Sequence, residues 1–392
     1  MRTLLWFSLF GATVAAQPPE PIARGTYEGF PSVRISNRTL TLTMLVQGTA
    51  FADLVLADDP ERLSPLWNPF RMARELAASG VTATPPAHNP AGHFVCIDGF
   101  GPPSAEEKAA GLAMHGEARG LAFDVRSSRD GRVSVVSMTA KLPIVQESFT
   151  RTVRMVDGEN VIYVESEVES LLGFDRPIHW GEHATIGSPF LESGVTVVDI
   201  SGVRSRTRDY DQVQNPDGVT QRRLASGREF AWPMAPALDG GTVDARVTPE
   251  KPHYIDHMTT LLDPARQLEW ATALNPKRRL VLGYVFKREE YPWLQTWGNY
   301  PPTEKMSRGL EFATQPYDVP RRQVLSEGPL FGVPTYRWLP AKSKIRTSFL
   351  MFYARVPEGF DKVDDVRLEN GRIVVENRRT NRRVTLTASR PL

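Results

Sequence analysis

The chain has 392 residues, with 47 Lys and Arg against 45 Asp and Glu for a net charge of +2, 41% hydrophobic content and a single cysteine, Cys96. A near-neutral chain with no long basic run lacks the clustered cations that a phosphate backbone requires, which excludes nucleic acid as its main partner. Its hydrophobic content excludes a disordered chain, its 29 glycines and 32 prolines favour turns over long helices, and Cys96 has no partner for an internal disulfide.

The first element reads as an address. Met1 and Arg2 are followed by the apolar run 4–14 and by small residues at Ala15 and Ala16, then by Gln17-Pro18-Pro19. This is the grammar of a secretory signal peptide. The expected leader is 1–16, and the expected destination is the periplasm or the extracellular space. The apolar run is too short for a membrane span of about 20 residues. Residues 17–392 are expected to form one domain.

Strand signals then follow in sequence. They fall at 39–46, 121–126, 132–140, 147–156, 160–170, 195–200, 280–287, 344–353 and 366–375. Segment 160–170 is the cleanest, with apolar and acidic residues alternating at period two. Glu369-Asn370-Gly371 marks a hairpin turn. Helical signal is confined to 69–78 and 104–110. No Gly/Ser linker divides the chain, so the expectation is a single all-β unit built from a large antiparallel sandwich, a barrel or a propeller. A blade-length repeat is missing, which disfavours the propeller.

Chemistry-bearing residues cluster unevenly. Six of the seven histidines fall in three close pairs: His88 and His93, His179 and His183, His253 and His257. His179-Trp180-Gly181-Glu182-His183 fits a zinc-protease pattern. That pattern needs a helix, and Pro177, Gly181, Gly187 and Pro189 oppose one. In a strand, His179 and His183 share a face while Glu182 points the other way. No metal or cofactor is therefore expected.

Three other segments read together. Met114-His115-Gly116-Glu117 is a polar loop ahead of a strand. Glu182-His183-Ala184-Thr185 follows the alternating strand. Gly309-Leu310-Glu311-Phe312 places Glu311 among apolar neighbours, where a carboxylate's pKa rises and suits it to act as a general base. Taken singly, each also has a structural reading: His115 bonded to loop backbone, His183 a satisfied buried histidine, Glu311 an ion-pair partner of Arg308 or Arg321.

Taken in order, the three segments resemble the galactose mutarotase (aldose 1-epimerase) family. That family carries a His-Gly loop, then a histidine after a long strand, then a Gly-x-x-Glu-x-x-Gln-type strand. The resemblance implies the family's β-supersandwich fold and isomerase activity on a mono- or oligosaccharide. It implies His183 as general acid, Glu311 as general base and His115 as a ligand of a sugar hydroxyl. Asp256, in Tyr254-Ile255-Asp256-His257, stands where the family carries a substrate-binding aspartate. His93 stands where the family carries an arginine ahead of the His-Gly loop, and Glu182 replaces the Asn that precedes its second histidine.

The densest aromatic stretch, 291–302, adds Trp297 as a sugar-stacking candidate, on the expectation that Gly298-Asn299 forms a turn beside a pocket. Trp293 and Trp297 could equally fill the core. The alternatives kept open are a non-catalytic carbohydrate-binding protein, a polysaccharide lyase or glycosidase-related module on the same fold, and a metal hydrolase.

Overall fold

Alternation along the strands decides how the molecule is layered. From Glu147 to Met155 and from Val133 to Thr139 every second side chain is buried and the intervening ones are half-exposed, so one face of their sheet meets a core. The computed structural model describes residues 20–80, 91–209, 222–251, 253–303 and 305–392. The leader 1–16 and His88 lie outside these described residues.

Two antiparallel sheets carry the fold. The first has eleven strands in the spatial order Ile22–Tyr27, Phe30–Ser36, Leu40–Leu45, Phe51–Leu56, His93–Ile97, Trp180–Gly187, Ser307–Ala313, Trp293–Tyr300, Tyr254–Leu262, Gly202–Thr207 and Glu229–Ala231. The second has eight: Val197–Ile200, Leu268–Asn275, Leu280–Lys287, Lys344–Arg355, Val161–Ser170, Glu147–Val156, Val133–Leu142 and Asp124–Asp130. One apolar cluster fills the space between them, with Leu42, Val95, Trp180, Ile186, Leu310 and Phe312 from the first sheet and Met138, Phe149, Val164, Tyr284 and Phe349 from the second. The two sheets and the core between them make a large antiparallel β-sandwich.

A three-stranded meander, Asp365–Glu369, Arg372–Asn377 and Arg382–Thr387, covers the outer side of the second sheet. Val366, Ile373 and Val375 pack there against Tyr163, Leu350 and Phe352. Its first hairpin turns at Asn370 and Gly371, both with positive φ, as a tight two-residue turn demands. Helix Pro69–Ala78 starts where Asn68 accepts a hydrogen bond from the Arg71 amide at 2.9 Å. Helix Ala105–Ala109 starts on a Ser104/Glu107 capping box. A third helix, Arg321–Glu327, has no counterpart in the sequence pattern.

The segment that resembled a zinc-protease motif is a strand. Glu182 points between the sheets, away from His183, and is the hub of a buried polar cluster. Arg151 donates to both carboxylate oxygens at 2.6 and 2.7 Å, and His93 Nε2 lies 2.9 Å from Oε2. Trp180 Nε1 and the Tyr291 hydroxyl each donate to Oε1 at 3.4 Å. Burial pushes the Glu182 carboxyl up, but Arg151 and His93 outweigh it and hold the group below the usual range. Among the described residues no group of three or more His, Cys, Asp or Glu is arranged to hold a metal ion.

Candidate active site

On the outer face of the eleven-stranded sheet, strand register lines up one row of side chains. Phe94 pairs with His183, His183 with Glu311, Glu311 with Gln295, and Gln295 with Thr259. Directly opposed residues in neighbouring strands share a face, so this row crosses five strands with every member on the same side.

At its centre His183 Nε2 lies 3.4 Å from Glu311 Oε1, with both side chains almost fully buried. The approach lacks hydrogen-bond geometry, so Oε1 has no hydrogen-bond partner among the described residues. His183 Nδ1 is 2.8 Å from the Thr185 hydroxyl, two residues along the same strand. The Phe94 ring stacks on the His183 ring at 4.3 Å, and His115 meets it edge-on at 5.0 Å.

His115 reaches the row from a loop under tight backbone constraint. Its own φ is +67°, and a Cβ on Gly116, whose φ is +86°, would lie 2.0 Å from the Ile97 carbonyl. Glu117 accepts hydrogen bonds from the Ile144 and Val145 amides and anchors the loop further. The Gly101 amide donates to His115 Nδ1 at 3.2 Å, so Nε2 carries the proton of the neutral ring. Cys96, buried beneath, has its Sγ 3.5 Å from the same Nδ1.

Burial dominates the electrostatics. It lowers His115 to about 3, assisted by the nearby Arg119 charge, and drives His183 well below its ordinary value, with His115 and Arg119 adding to the effect. Burial alone raises Glu311 to about 8. At neutral pH the site therefore holds neutral imidazoles and a protonated carboxyl. Because the folded-state pKa of Glu311 lies above its unfolded value near 4.3, its contribution to stability is complete below that value and is lost as pH rises towards 8. Glu311→Gln removes this term. In thermal melts Glu311→Gln is therefore expected to gain stability relative to the wild type from pH 5 to 8, with a constant difference above, and a difference independent of pH would refute the buried carboxyl.

Glycines make room for these groups. A Cβ on Gly309 would lie 2.2 Å from Glu311 Oε1, and one on Gly181 would lie 2.3 Å from the Phe100 ring. Gly309→Ala should therefore push the carboxyl aside while leaving the strand intact. A displacement of this size costs about 10²-fold in a positioned reaction, so activity should fall by that order with the melting temperature nearly unchanged. Unaltered activity would show that the observed carboxyl position is not the working one.

Two candidates from the sequence lie on the wrong face. His93 pairs with Ala184, not His183, so its ring turns into the inter-sheet core, where it stacks on Phe349 at 5.2 Å and bonds Glu182. It is not available to a sugar beside His183. Asp256 is likewise turned from the row, and Arg223 Nε and Nη2 bond its carboxylate at 2.8 and 2.7 Å. Its neighbour His257 takes the site face instead, because side chains alternate along a strand. Trp297 is on the site face and half-buried, whereas Trp293 is fully buried and donates to the Pro334 carbonyl at 3.1 Å. Gly298 and Asn299 continue the strand, so the expected turn beside Trp297 is absent.

Sequence reasoning missed Gln295 and His257. His257 Nε2 and Gln295 Oε1 are 3.1 Å apart, which directs the Gln295 amide nitrogen elsewhere, and that buried nitrogen has no partner among the described residues. Period-two counting from Trp297 would have found Gln295, and the same count from Gln295 across the register would have chosen His257 over Asp256.

Comparison with solved structures places this architecture. A putative aldose 1-epimerase from Klebsiella pneumoniae superposes with a TM-score of 0.57 at 12% identity, covering 83% of this chain and 80% of the other. A putative mutarotase from Salmonella typhimurium gives 0.55 at 11% identity, covering 87% and 96%. A galactose mutarotase-related enzyme from Lactobacillus acidophilus gives 0.54 at 12% identity, covering 86% and 100%. At such identities the likeness is one of fold. No protein-family model matches the chain, and no curated protein matches its sequence.

Proposed function

We propose that this chain is a carbohydrate-active isomerase that interconverts the anomers of an aldose, with Glu311 and His183 as its acid–base pair. The observation that carries the reading is their register: two titratable groups directly opposed on adjacent strands, 3.4 Å apart, on one face. The kinship of fold with proteins named as epimerases and mutarotases supports it.

Ring opening needs one group to take the proton of the C1 hydroxyl and another to protonate the ring oxygen. The resting pair holds one exchangeable proton between them, on Glu311. Passing it to His183 creates the carboxylate and imidazolium that the two transfers require, with no change in total protonation. Glu311 then accepts from the C1 hydroxyl as His183 donates to the ring oxygen, the C1–O bond breaks, and the open aldehyde forms. Rotation about C1–C2 and reversal of both transfers deliver the other anomer. The Nε2–H of His115 and the free amide nitrogen of Gln295 are suited to donate to sugar oxygens, and Trp297 to cover the C–H face of the ring. Acid and base carry both proton transfers, so no metal or cofactor enters the scheme.

Export by the 1–16 leader belongs to the same proposal; an intact Met1 in the mature protein would refute it. The function is tested by polarimetry on freshly dissolved α-galactose and α-glucose, beside a panel of polysaccharides. Accelerated mutarotation supports the reading. Saccharide binding without acceleration would reduce the protein to a binding module, and polymer cleavage would make it a lyase or glycosidase relative.

A further inference from the structure

Arg119 stands out among the groups around the row. It follows His115 on the same anchored loop, in the one-turn helix Ala118–Gly120, and its backbone is held so closely that a Cβ on Gly48 would lie 2.8 Å from its carbonyl oxygen. Its guanidinium carbon lies 5.3 Å from the centre of the Phe94 ring, the ring that stacks on His183. The side chain is half-buried, and among the described residues it forms no hydrogen bond or ion pair. The nearest acid in sequence, Glu117, is committed to the Ile144 and Val145 amides.

From this geometry we infer that the substrate is a sugar acid, a hexuronate whose C6 carboxylate binds Arg119. The inference rests on the acid–base reading of His183 and Glu311 and adds the substrate class.

The chemistry of the ring connects the two. His183 serves the ring oxygen, the ring oxygen is bonded to C5, and C5 bears C6. A sugar with its ring oxygen at His183 and its anomeric hydroxyl at Glu311 therefore carries C6 on the His183 side, away from Glu311. Phe94 and Arg119 lie beyond His183 on that side of the row. Burial lowers the Arg119 pKa with no carboxylate to offset it, and the other titratable groups of the row are neutral. An uncompensated cation in a partly desolvated place is costly until an anion pairs with it. One planar guanidinium matches one carboxylate in a forked pair, whereas a phosphate dianion calls for more positive charge than a single arginine supplies.

The test compares D-galacturonate, D-galactose and galactose 6-phosphate as substrates of the wild type and of Arg119→Gln and Arg119→Lys, with near-UV circular dichroism to confirm folding. A charge-assisted pair corresponds to about ten- to a hundredfold, so the wild type should favour galacturonate over galactose in kcat/KM by that factor. In Arg119→Gln the ratio should collapse to about one, and Arg119→Lys should recover part of it. A wild type that prefers galactose or the phosphate, or a ratio unmoved by Arg119→Gln, would overturn the inference. If no sugar is epimerised, the acid–base reading fails separately, and titration of galacturonate followed by calorimetry decides the substrate class: binding that Arg119→Gln abolishes supports it, and binding equal in both proteins, or none, refutes it.

Discussion

Glu311→Gln is expected to slow anomer interconversion by about 10² to 10⁴-fold, the usual contribution of a positioned acid–base group, with little change in sugar affinity. The substitution keeps the shape and the hydrogen-bonding capacity of the side chain, which lies where only a glycine at 309 leaves it space. His183→Asn should produce a loss of the same order. The double variant should be little slower than either single one, because the two groups act in one concerted exchange. The wild-type kcat/KM should hold through neutral pH and decline above about 8, where Glu311 surrenders the proton the pair shares. Stopped-flow polarimetry across pH measures all of these, and strictly multiplicative losses in the double variant would show that the residues act independently.

The second large effect concerns the opposite face. Arg151 and Glu182 are completely buried, and the guanidinium lies 5.5 Å from each of the Phe51 and Phe149 rings. Replacing Arg151 by Met leaves the Glu182 carboxylate in the core without its cation, which costs about 3–5 kcal/mol, whereas removing both charges costs far less. Urea denaturation should therefore show a large loss in Arg151→Met and substantial recovery in Arg151→Met/Glu182→Gln. Equal instability in the two variants would mean that the arginine acts through packing and not through its charge. The cluster also fixes the strand that presents His183, since Glu182 is anchored on one side and His183 emerges on the other.

These faces explain what could be read in advance. Strands with one wet side, such as Val161–Ser170 and Glu147–Val156, announce themselves by alternation, and the hairpin at Asn370-Gly371 by its turn chemistry. Trp180–Gly187 and Ser307–Ala313 are buried along their whole length, so neither shows a period-two pattern, and the row they carry was visible only as isolated motifs. Side-chain parity was the second obstacle. His93 beside Phe94, and Asp256 beside His257, each differ from the site residue by a single position, and one position in a strand exchanges core for surface. Gln295 shares a face with Trp297 by local parity, but that it stands opposite Glu311 depends on cross-strand register, which no local pattern encodes.

The most direct test is a crystal structure of the protein with a sugar bound, obtained by soaking with D-galactose and, separately, with D-galacturonate. A single sugar is expected on the outer face of the eleven-stranded sheet, with the anomeric hydroxyl about 2.6–3.2 Å from Glu311 Oε1 and the ring oxygen within the same reach of His183 Nε2. A sugar seated elsewhere, with the His183–Glu311 pair untouched, would contradict it.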